Sequence, residues 1–274
     1  MLIVDSGSTK TAIRLLRNGA VVEEQTCDGI NPLLHDEAYI TRVFPKIQAE
    51  HVEHIFFFGA GCSTDERKEK VKRALLQLYP RAEIEVESDL MAAAHAVYKG
   101  KPISVCILGT GSNAALFDGK SLRTLTPSLG YILGDEGSGA DLGKHLLRDY
   151  LYENLPDDMS AAVAAATDGL SAEEIVNSVY NAASPSRYLA SLAPVLSQYK
   201  QTDYTQSLLH NRFTAFADAF LRPHNTGQAS AVGSIAFYFR DELESAFRQR
   251  GINLLDVKKN PVDGLVDFYR TFVD

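Results

Sequence analysis

A single carboxylate, Asp5, ends the first apolar run of the chain and stands directly before a turn rich in glycine and hydroxyl side chains. That turn spans residues 6–10 and leads into a second, alternating apolar run. Backbone N–H groups in such a turn can bind phosphate oxygens, while a neighbouring carboxylate can face a metal ion or its water. It is not a Walker A loop, because Lys10 follows Thr9 and not glycine. An ordinary hairpin with a capping aspartate would use the same residues, so both interpretations stay open here.

A second turn of this kind, Gly109-Thr110-Gly111-Ser112-Asn113, also follows an apolar run. Its glycines leave N–H groups and hydroxyls open to a phosphate without a bulky side chain in the way. With Ala114 it matches the G-x-G-x-x-A pattern of dinucleotide-binding proteins, but that pattern requires a helix to begin at the turn. Since residues 114–117 are short and close at Asp118-Gly119, we predict a strand there and a second phosphate-binding hairpin.

Three further polar segments stand where apolar runs end. Asp89 follows Ser88 at the start of an alanine-rich helix, where it could cap the helix or act as a general base toward a hydroxyl. The segment GDEGSG at residues 134–139 could cap the next helix or bind a polyol. Asn31 lies in a polar loop that is, by itself, only a turn. The histidines show no metal-ligand spacing and are interpreted as structural or surface groups.

Composition limits the class of protein. A chain of 274 residues with 45% hydrophobic and 23% charged residues can form one large domain or two smaller ones. Its net charge of −8 argues against a nucleic-acid partner, and no apolar run approaches the ~20 residues of a membrane span. The start of the chain lacks the pattern of a signal peptide. Because the three cysteines are too scattered for a disulfide framework, we expect a cytoplasmic protein.

The elements that hold these residues follow from periodicity and turn signals. In the first hundred residues the predicted order is β-β-β-α-β-α-β-α, with strands at 2–5, 11–17, 20–27, 54–58 and 82–87 and helices at 35–49, 64–79 and 88–99. Three meandering strands followed by alternating helices and strands imply a mixed sheet with helices on its faces.

Lys101-Pro102 is the predicted domain boundary, which separates residues 1–101 from residues 102–274. Beyond it the strand–turn–strand opening is repeated, which suggests two similar halves. Residues 139–222 are predicted to be a helical insertion. After it come strands at 229–232 and 253–257 and helices at 237–250 and 263–272.

In their order along the chain, these segments resemble the N-acetylglucosamine kinase family, which belongs to the superfamily of actin-like ATPases and sugar kinases. The resemblance covers nearly the whole chain, through DSGSTKT (5–11), GINP (29–32), Ser88-Asp89, GTGSN (109–113), GDEGSG (134–139) and VGSIA (232–236). It implies an α/β fold of two ribonuclease-H-like domains, each with a mixed sheet, with a helical insertion in the second domain and with ATP and sugar in the cleft between them.

The resemblance also implies roles for individual residues. The ATP-binding residues would be Ser8, Thr9, Lys10, Gly109, Thr110, Gly111, Gly233 and Ser234. The sugar-binding residues would be Asn31, Thr110, Gly111, Ser112, Asn113 and Asp135. Asp89 would match the base that takes the proton from the sugar's 6-hydroxyl, and Asp5 would face Mg²⁺. The segment at 232–236 departs from the double glycine of many members of the family, so the contacts to adenine stay open.

The implied function is ATP-dependent phosphorylation of an amino sugar, foremost N-acetylglucosamine, with ATP and Mg²⁺, in a chain that could form a homodimer. One alternative is the similar ATPase activator of 2-hydroxyacyl-CoA dehydratases, which holds an iron–sulfur cluster between two subunits. Only Cys62 lies on a predicted loop, and one thiolate per subunit cannot supply the four that such a cluster needs. A sugar sensor without catalysis is the other alternative, against which the presence of both Asp5 and Asp89 argues.

Overall fold

The computed structural model describes residues 1–7, 10–47 and 52–270. Their contacts divide the chain into two compact units. The first unit comprises residues 1–100 together with the C-terminal segment that starts at Asn260, and the second comprises residues 101–259. Each unit is built on a five-stranded mixed sheet, as the sequence predicted.

The first sheet has the strand order β3-β2-β1-β4-β5. Its strands are β1 (Leu2–Ser6), β2 (Lys10–Arg17), β3 (Ala20–Asp28), β4 (His54–Gly59) and β5 (Glu83–Ser88). The three N-terminal strands form an antiparallel meander, whereas β1, β4 and β5 run parallel to one another. Asn18 and Gly19 join β2 to β3 with φ of 50° and 70°, as a tight hairpin turn requires.

The described part of this unit contains the helices α1 (Glu37–Val43), α2 (Asp65–Leu78), α3 (Asp89–Val97) and the C-terminal helix α13 (Pro261–Arg270). Thr64 and Ser88 cap α2 and α3 with their hydroxyls, at the positions where the sequence predicted these helices to begin, so the capping residue of α3 is Ser88 and not Asp89. The helix predicted over 35–49 is shorter, because Phe44 precedes Pro45 and is held in an extended conformation (φ −71°, ψ 125°). Residues 48 and 49 of that prediction lie outside the described residues.

Alternation along β1 divides the core of this unit between the two faces of the sheet. Leu2 and Val4 belong to one apolar cluster, and Ile3 belongs to the other. The second cluster also contains Ala92 of α3 and Leu265 of α13. The face of Ile3 is therefore the face that α3 and α13 cover.

The assignment of the whole segment 102–274 to the second domain is wrong at its C-terminal end. Helix α13 packs on α3, β1 and β2 of the first sheet. Gly264 lies so close to α3 that a Cβ atom there would stand 2.5 Å from the carbonyl oxygen of Ala96, and Arg270 Nε donates to Gly19 O over 2.9 Å. The apolar face of α13 is buried against the first sheet, and nothing in the local sequence indicates which sheet it covers.

The second sheet has the order β10-β9-β6-β7-β8. Its strands are β6 (Ile103–Leu108), β7 (Ser112–Phe117), β8 (Leu122–Thr124), β9 (Gln228–Val232) and β10 (Asn253–Lys258). Read from β8 to β10, this is the topology of the first sheet, with an antiparallel meander and then parallel strands. Strand β7 begins at Ser112, two residues earlier than predicted, because Ser112 pairs with Leu108.

The helices of the second unit lie largely in the predicted insertion, between β8 and β9. They are α4 (Gly130–Leu133), α5 (Gly139–Leu151), α6 (Asp157–Ala166), α7 (Ala172–Asn181), α8 (Pro185–Ala190), α9 (Ala193–Gln198) and α10 (Asp203–Phe216), followed by a π turn (Ala217–Leu221) and a 3₁₀ turn (Arg222–His224). The helix predicted over 237–250 is two helices, α11 (Ser234–Tyr238) and α12 (Arg240–Gln249), which are separated at Phe239. Among the described residues, none of the helices has the length and apolar character needed to span a bilayer.

Candidate active site

Two carboxylates come together at the carboxyl end of the first sheet. Strand register aligns Ser6, Gly59 and Ser88 across β1, β4 and β5. Asp5 lies one residue before this row, on the face of Ile3 that α3 covers. Asp89 is the first residue of α3, directly after the row. The parallel strands and the crossover helix thus bring together two side chains that are 84 residues apart in the sequence.

Burial and mutual repulsion shift the acidity of this pair. Burial is the larger cause and the negative charge of Asp89 the smaller, and together they raise the pKa of Asp5 from 3.8 to about 7. Burial also raises the pKa of Asp89, to about 6, although backbone N–H groups at the start of α3 oppose this shift. A carboxyl group with a pKa close to neutrality is suited to take a proton and return it.

The pair also fits a divalent cation. No described lysine, arginine or histidine forms an ion pair with Asp5 or Asp89. Mg²⁺ in phosphoryl-transfer sites is held by one or two carboxylates together with substrate phosphates. Within the described residues, no group of three or more His, Cys, Asp or Glu side chains could hold a metal ion by itself.

The loop that bears Asn31 is tied to the end of β1 through Ser6. The buried Ser6 Oγ contacts Thr11 Oγ1 (2.7 Å), donates to Ile30 O (3.0 Å) and accepts from Ile30 N (2.9 Å). Asn31 Oδ1 accepts from Leu33 N over 2.9 Å. A Cβ atom on Gly61 would stand 2.1 Å from Asn31 Oδ1. The asparagine is therefore held firmly beside the carboxyl end of the sheet.

The first predicted phosphate turn is described in part. Ser8 and Thr9 lie outside the described residues. Gly7 N donates to Lys10 O over 3.0 Å and closes the turn between β1 and β2, and Lys10 is exposed. The role of this turn in binding phosphate stays a prediction.

The second predicted phosphate turn is shorter than the sequence predicted, and its backbone is hydrogen-bonded to the start of α5. Gly109 N donates to Gly111 O over 3.0 Å, so the turn itself comprises only Gly109, Thr110 and Gly111. The carbonyl oxygens of Gly109 and Thr110 accept from Gly139 N (2.8 Å) and Ala140 N (3.0 Å), the first residues of α5. Two segments that looked separate in the sequence thus form one structure.

Asp135 completes this structure. Its Oδ1 accepts from Ser112 N over 3.3 Å, and a Cβ atom on Gly111 would stand 3.0 Å from its Oδ2. Burial raises the pKa of Asp135, and the Ser112 N–H opposes that shift. Asp135 has a φ of 58°, the left-handed conformation that is costly for a residue other than glycine. The predicted sugar-binding residues Gly111, Ser112 and Asp135 therefore lie in direct contact, whereas Asn113 Oδ1 is occupied by Ala114 N.

A cavity of about 460 Å³ opens beside the second turn, within the second unit. It is lined by the predicted nucleotide residues Gly109, Thr110 and Ser234. Gly233 allows the turn of the chain at this wall, since its φ is 126° and a Cβ atom would stand 2.2 Å from Leu108 O. Most of the remaining lining comes from α8, α9 and α11 and includes Arg187, Ser197 and Tyr238. The sequence analysis did not identify these three residues, which carry no local motif.

A buried ion pair behind Asp135 was also missed. Asp141, in the first turn of α5, accepts from Gly137 N (2.9 Å) and from Arg212 Nε (2.7 Å). Ser138 and Asp141 have the S-x-x-D spacing of a helix start, so the aspartate could have been noticed in the sequence. Arg212 is 71 residues further along the chain, and no local signal links it to Asp141.

The fold recurs in solved structures. A proposed N-acetylglucosamine kinase from Porphyromonas gingivalis is 33% identical to this chain, with 99% of both chains covered and a TM-score of 0.93. A proposed N-acetylglucosamine kinase from Chromobacterium violaceum is 21% identical over 97% of this chain and 98% of its own, with a TM-score of 0.73. A ROK family glucokinase from Streptomyces griseus, in complex with glucose and AMPPNP, is 16% identical over 98% and 97%, with a TM-score of 0.62.

No protein-family model matches the chain, and no curated protein matches it significantly. The two more distant structures support the fold alone. The Porphyromonas gingivalis structure, at 33% identity over nearly the full length, supports the family that the sequence motifs indicated. The chain therefore belongs to the N-acetylglucosamine kinase family of the actin-like sugar-kinase superfamily, and it is an ATP-dependent sugar kinase.

Proposed function

We propose that this kinase transfers the γ-phosphoryl group of ATP to the 6-hydroxyl of an amino sugar, foremost N-acetylglucosamine, with Asp89 as the general base. The observation that carries the proposal is the pair Asp5 and Asp89. The two carboxyl groups lie at one sheet end, interact electrostatically, and have raised pKa values of about 7 and about 6. The name of the Porphyromonas gingivalis relative supports the choice of sugar.

Two opposing effects on its pKa suit Asp89 to the role of base. Burial keeps its pKa near neutrality, whereas the backbone N–H groups at the start of α3 stabilise its charged form. In the proposed step the carboxylate accepts the proton of the sugar hydroxyl as the hydroxyl oxygen bonds to the γ-phosphorus. The bond from that phosphorus to the β,γ-bridging oxygen breaks, and ADP leaves.

Asp5 is the proposed ligand of Mg²⁺. Its carboxyl group lies at the end of β1, next to the turn that closes between Gly7 N and Lys10 O. When bound, the cation would neutralise charge on the ATP phosphates. The cation would also hold Asp5 ionised, which leaves Asp89 to exchange the proton.

The second unit supplies the proposed contacts to the nucleotide and part of those to the sugar. The turn Gly109, Thr110 and Gly111 presents backbone atoms without Cβ crowding at Gly109. The adjacent cavity of about 460 Å³ is large enough for an adenosine group. Asp135 and Ser112, which are in contact beside this turn, would bind sugar hydroxyls, as would Asn31 in the first unit.

The reaction is proposed to take place in the cytoplasm. All three cysteines are free thiols, with Cys62 and Cys106 buried and Cys27 half-buried. Free thiols are usual in a reducing compartment. Cys62 is fully buried, so its thiol is not placed to bind a cluster shared between two subunits. The described structure thus gives no support to the iron–sulfur activator as an alternative.

The test is release of ADP from Mg-ATP across a panel of glucosamine, N-acetylglucosamine, N-acetylmannosamine and glucose. We expect the wild-type enzyme to prefer N-acetylglucosamine and to form the 6-phosphate, as identified by ³¹P–¹H correlation NMR. Asp89→Asn keeps the shape of the side chain and should lower kcat by about 10²–10⁴-fold. Full activity in Asp89→Asn would contradict the assignment of the base. Binding of a sugar without ADP release in the wild type would favour a sensor.

A further inference from the structure

A buried cluster of charged side chains around Asp141 contacts the segment that carries Asp135. The Asp141 side chain is only 2% exposed and receives hydrogen bonds from Gly137 N (2.9 Å) and Arg212 Nε (2.7 Å) on one oxygen. Its other oxygen faces Lys144 Nζ at 3.5 Å and His145 Nε2 at 3.6 Å. A carboxylate this deeply buried is strongly destabilising unless it is paired and hydrogen-bonded. The cluster therefore constrains all the groups that satisfy Asp141.

The cluster around Asp141 contacts the backbone on both sides of Asp135, at Gly137 and at Tyr131. Gly137 follows it by two residues, has a φ of 70° and lies against α10, where a Cβ atom would stand 3.3 Å from Arg212 O. Lys144 also donates to Tyr131 O over 3.2 Å, four residues before Asp135. The Asp141 carboxylate is thus connected to the polypeptide before and after the left-handed residue.

Asp135 needs such support. A residue other than glycine is strained at a φ of 58°, and among the described residues the Asp135 carboxylate accepts one long hydrogen bond, from Ser112 N at 3.3 Å. Neither feature would keep the carboxylate oriented by itself. We infer that Asp141 and Arg212 are positioning residues, which hold Asp135 in the orientation that binds the sugar; this inference rests on the proposed function of Asp135.

Arg212 offers a clean test, because it reaches the cluster from the insertion and touches Asp135 only through Asp141 and Gly137. Its side chain lines a polar cavity of about 540 Å³ together with Arg148. Arg148 is paired with Asp149 over 2.7 Å and makes no contact with Asp141. Arg148→Met is therefore a matched control for Arg212→Met, with the same change of charge in the same cavity.

We expect Arg212→Met to raise the KM for the sugar at least tenfold, with the KM for ATP unchanged and kcat lowered less than threefold. Arg212→Lys should recover part of the affinity, because it restores the charge without the Nε geometry. Arg148→Met should match the wild type. A purely structural role would lower Tm and the amount of active enzyme in Arg212→Met without changing the KM for the sugar, and that result would overturn the inference.

Hydrogen exchange provides a readout that needs no turnover. In Arg212→Met, the amides of residues 134–139 should exchange at least tenfold faster than in the wild type, and those in Arg148→Met should not. Unchanged exchange in Arg212→Met would overturn the inference even if the enzyme phosphorylates amino sugars. If the wild type phosphorylates no sugar, the proposed function fails, while exchange still decides whether Arg212 holds the segment. Should Arg212→Met not fold, Asp141→Asn, which keeps one acceptor oxygen, undergoes the same measurements.

Discussion

The two sheets share one topology, yet they carry different chemistry at equivalent points. In the first sheet, Asp5 pairs with the residue that precedes Gly59 on the parallel neighbour. In the second sheet, Ile107 pairs with the residue that precedes Gly233. By register, Ile107 is the counterpart of Asp5. The same backbone position thus holds a carboxylate in one unit and an apolar side chain in the other.

The turns that follow Asp5 and Ile107 also differ, because the first offers side chains and the second offers mainly backbone atoms. After Asp5, the chain uses side chains that can carry charge or donate protons, up to Lys10. After Ile107, it uses Gly109, Thr110 and Gly111, whose backbone atoms bond to the start of α5. We therefore propose that the first sheet end binds a cation and exchanges a proton, and that the second binds phosphate groups and sugar hydroxyls. The two sheets have the same topology, and the residues at their strand ends determine what each sheet end can bind.

The largest effect is expected where the counterparts differ most. Asp5→Asn should lower kcat at least about 100-fold, because a proposed metal ligand is lost. The same change should raise Tm by a few degrees, since an asparagine avoids burying a charge. At the counterpart, Ile107→Asn should lower stability by about 2 kcal/mol. Steady-state kinetics and thermal unfolding of the two variants measure these effects. A lower Tm in Asp5→Asn would contradict the expected difference between the two positions.

Alanine substitutions at the two equivalent glycines, Gly59 and Gly233, should lower stability by different amounts. At Gly233 an alanine would meet the backbone oxygen of Leu108 at 2.2 Å, at a φ of 126°, so Gly233→Ala should cost about 3 kcal/mol or more. At Gly59 the new Cβ would meet the ring of Phe57 at 2.7 Å, without a positive φ, so the loss should be about half as large. Urea unfolding measures both variants, with Gly227→Ala, where a Cβ meets nothing within 4 Å, as the control. Equal losses at the two glycines would contradict this expectation.

The pH dependence should come from the first unit. The folded pKa values of Asp5 (about 7) and Asp89 (about 6) lie above the ordinary 3.8. Between pH 4 and 7 these two groups therefore bind more protons in the folded state than in the unfolded state, and their contribution to the free energy of unfolding falls as pH rises, whereas His95, whose burial lowers its pKa to about 4, contributes in the opposite direction. Asp5→Asn should flatten that fall, as measured by urea unfolding at several pH values. In the wild type, kcat/KM for the sugar should decrease below about pH 6, as Asp89 becomes protonated.

The smallest effect is expected at Gly111. A Cβ atom there would stand 3.0 Å from Asp135 Oδ2, the movable end of a side chain. Gly111→Ala should displace that carboxylate slightly and raise the KM for the sugar about three- to tenfold, with little change in Tm. Initial rates at varied sugar concentration test this, again against Gly227→Ala. An unchanged KM would indicate that Asp135 does not contact the sugar.

Local structure followed from the sequence wherever short-range chemistry decides it. The hairpin at Asn18-Gly19 and the caps Thr64 and Ser88 were predictable, because each depends on residues within three positions. The end of α1 could have been predicted in the same way from Pro45. The shared topology of the two halves was visible as a repeated strand–turn–strand pattern, and the motif order indicated the kinase family.

Long-range placement did not follow from the sequence. The amphipathic pattern of α13 shows that one face is buried, but which sheet it covers depends on the packing at Gly264 and Ala96. The link from Arg212 to Asp141 spans 71 residues. Arg187, Ser197 and Tyr238, which also line the cavity beside Gly109, come from three different helices and carry no local motif.

The sequence by itself determined the elements, the two turns and the identities of Asp5, Asp89 and Asp135, because hydrogen bonding and side-chain alternation act over a few residues. Only the tertiary structure decided that Asp5 lies on the face covered by α3, beside Asp89, and that Asp135 is in contact with the second turn. Those pairings depend on which faces of the sheets are buried against which helices, and the free energy of burial depends on contacts between distant parts of the chain.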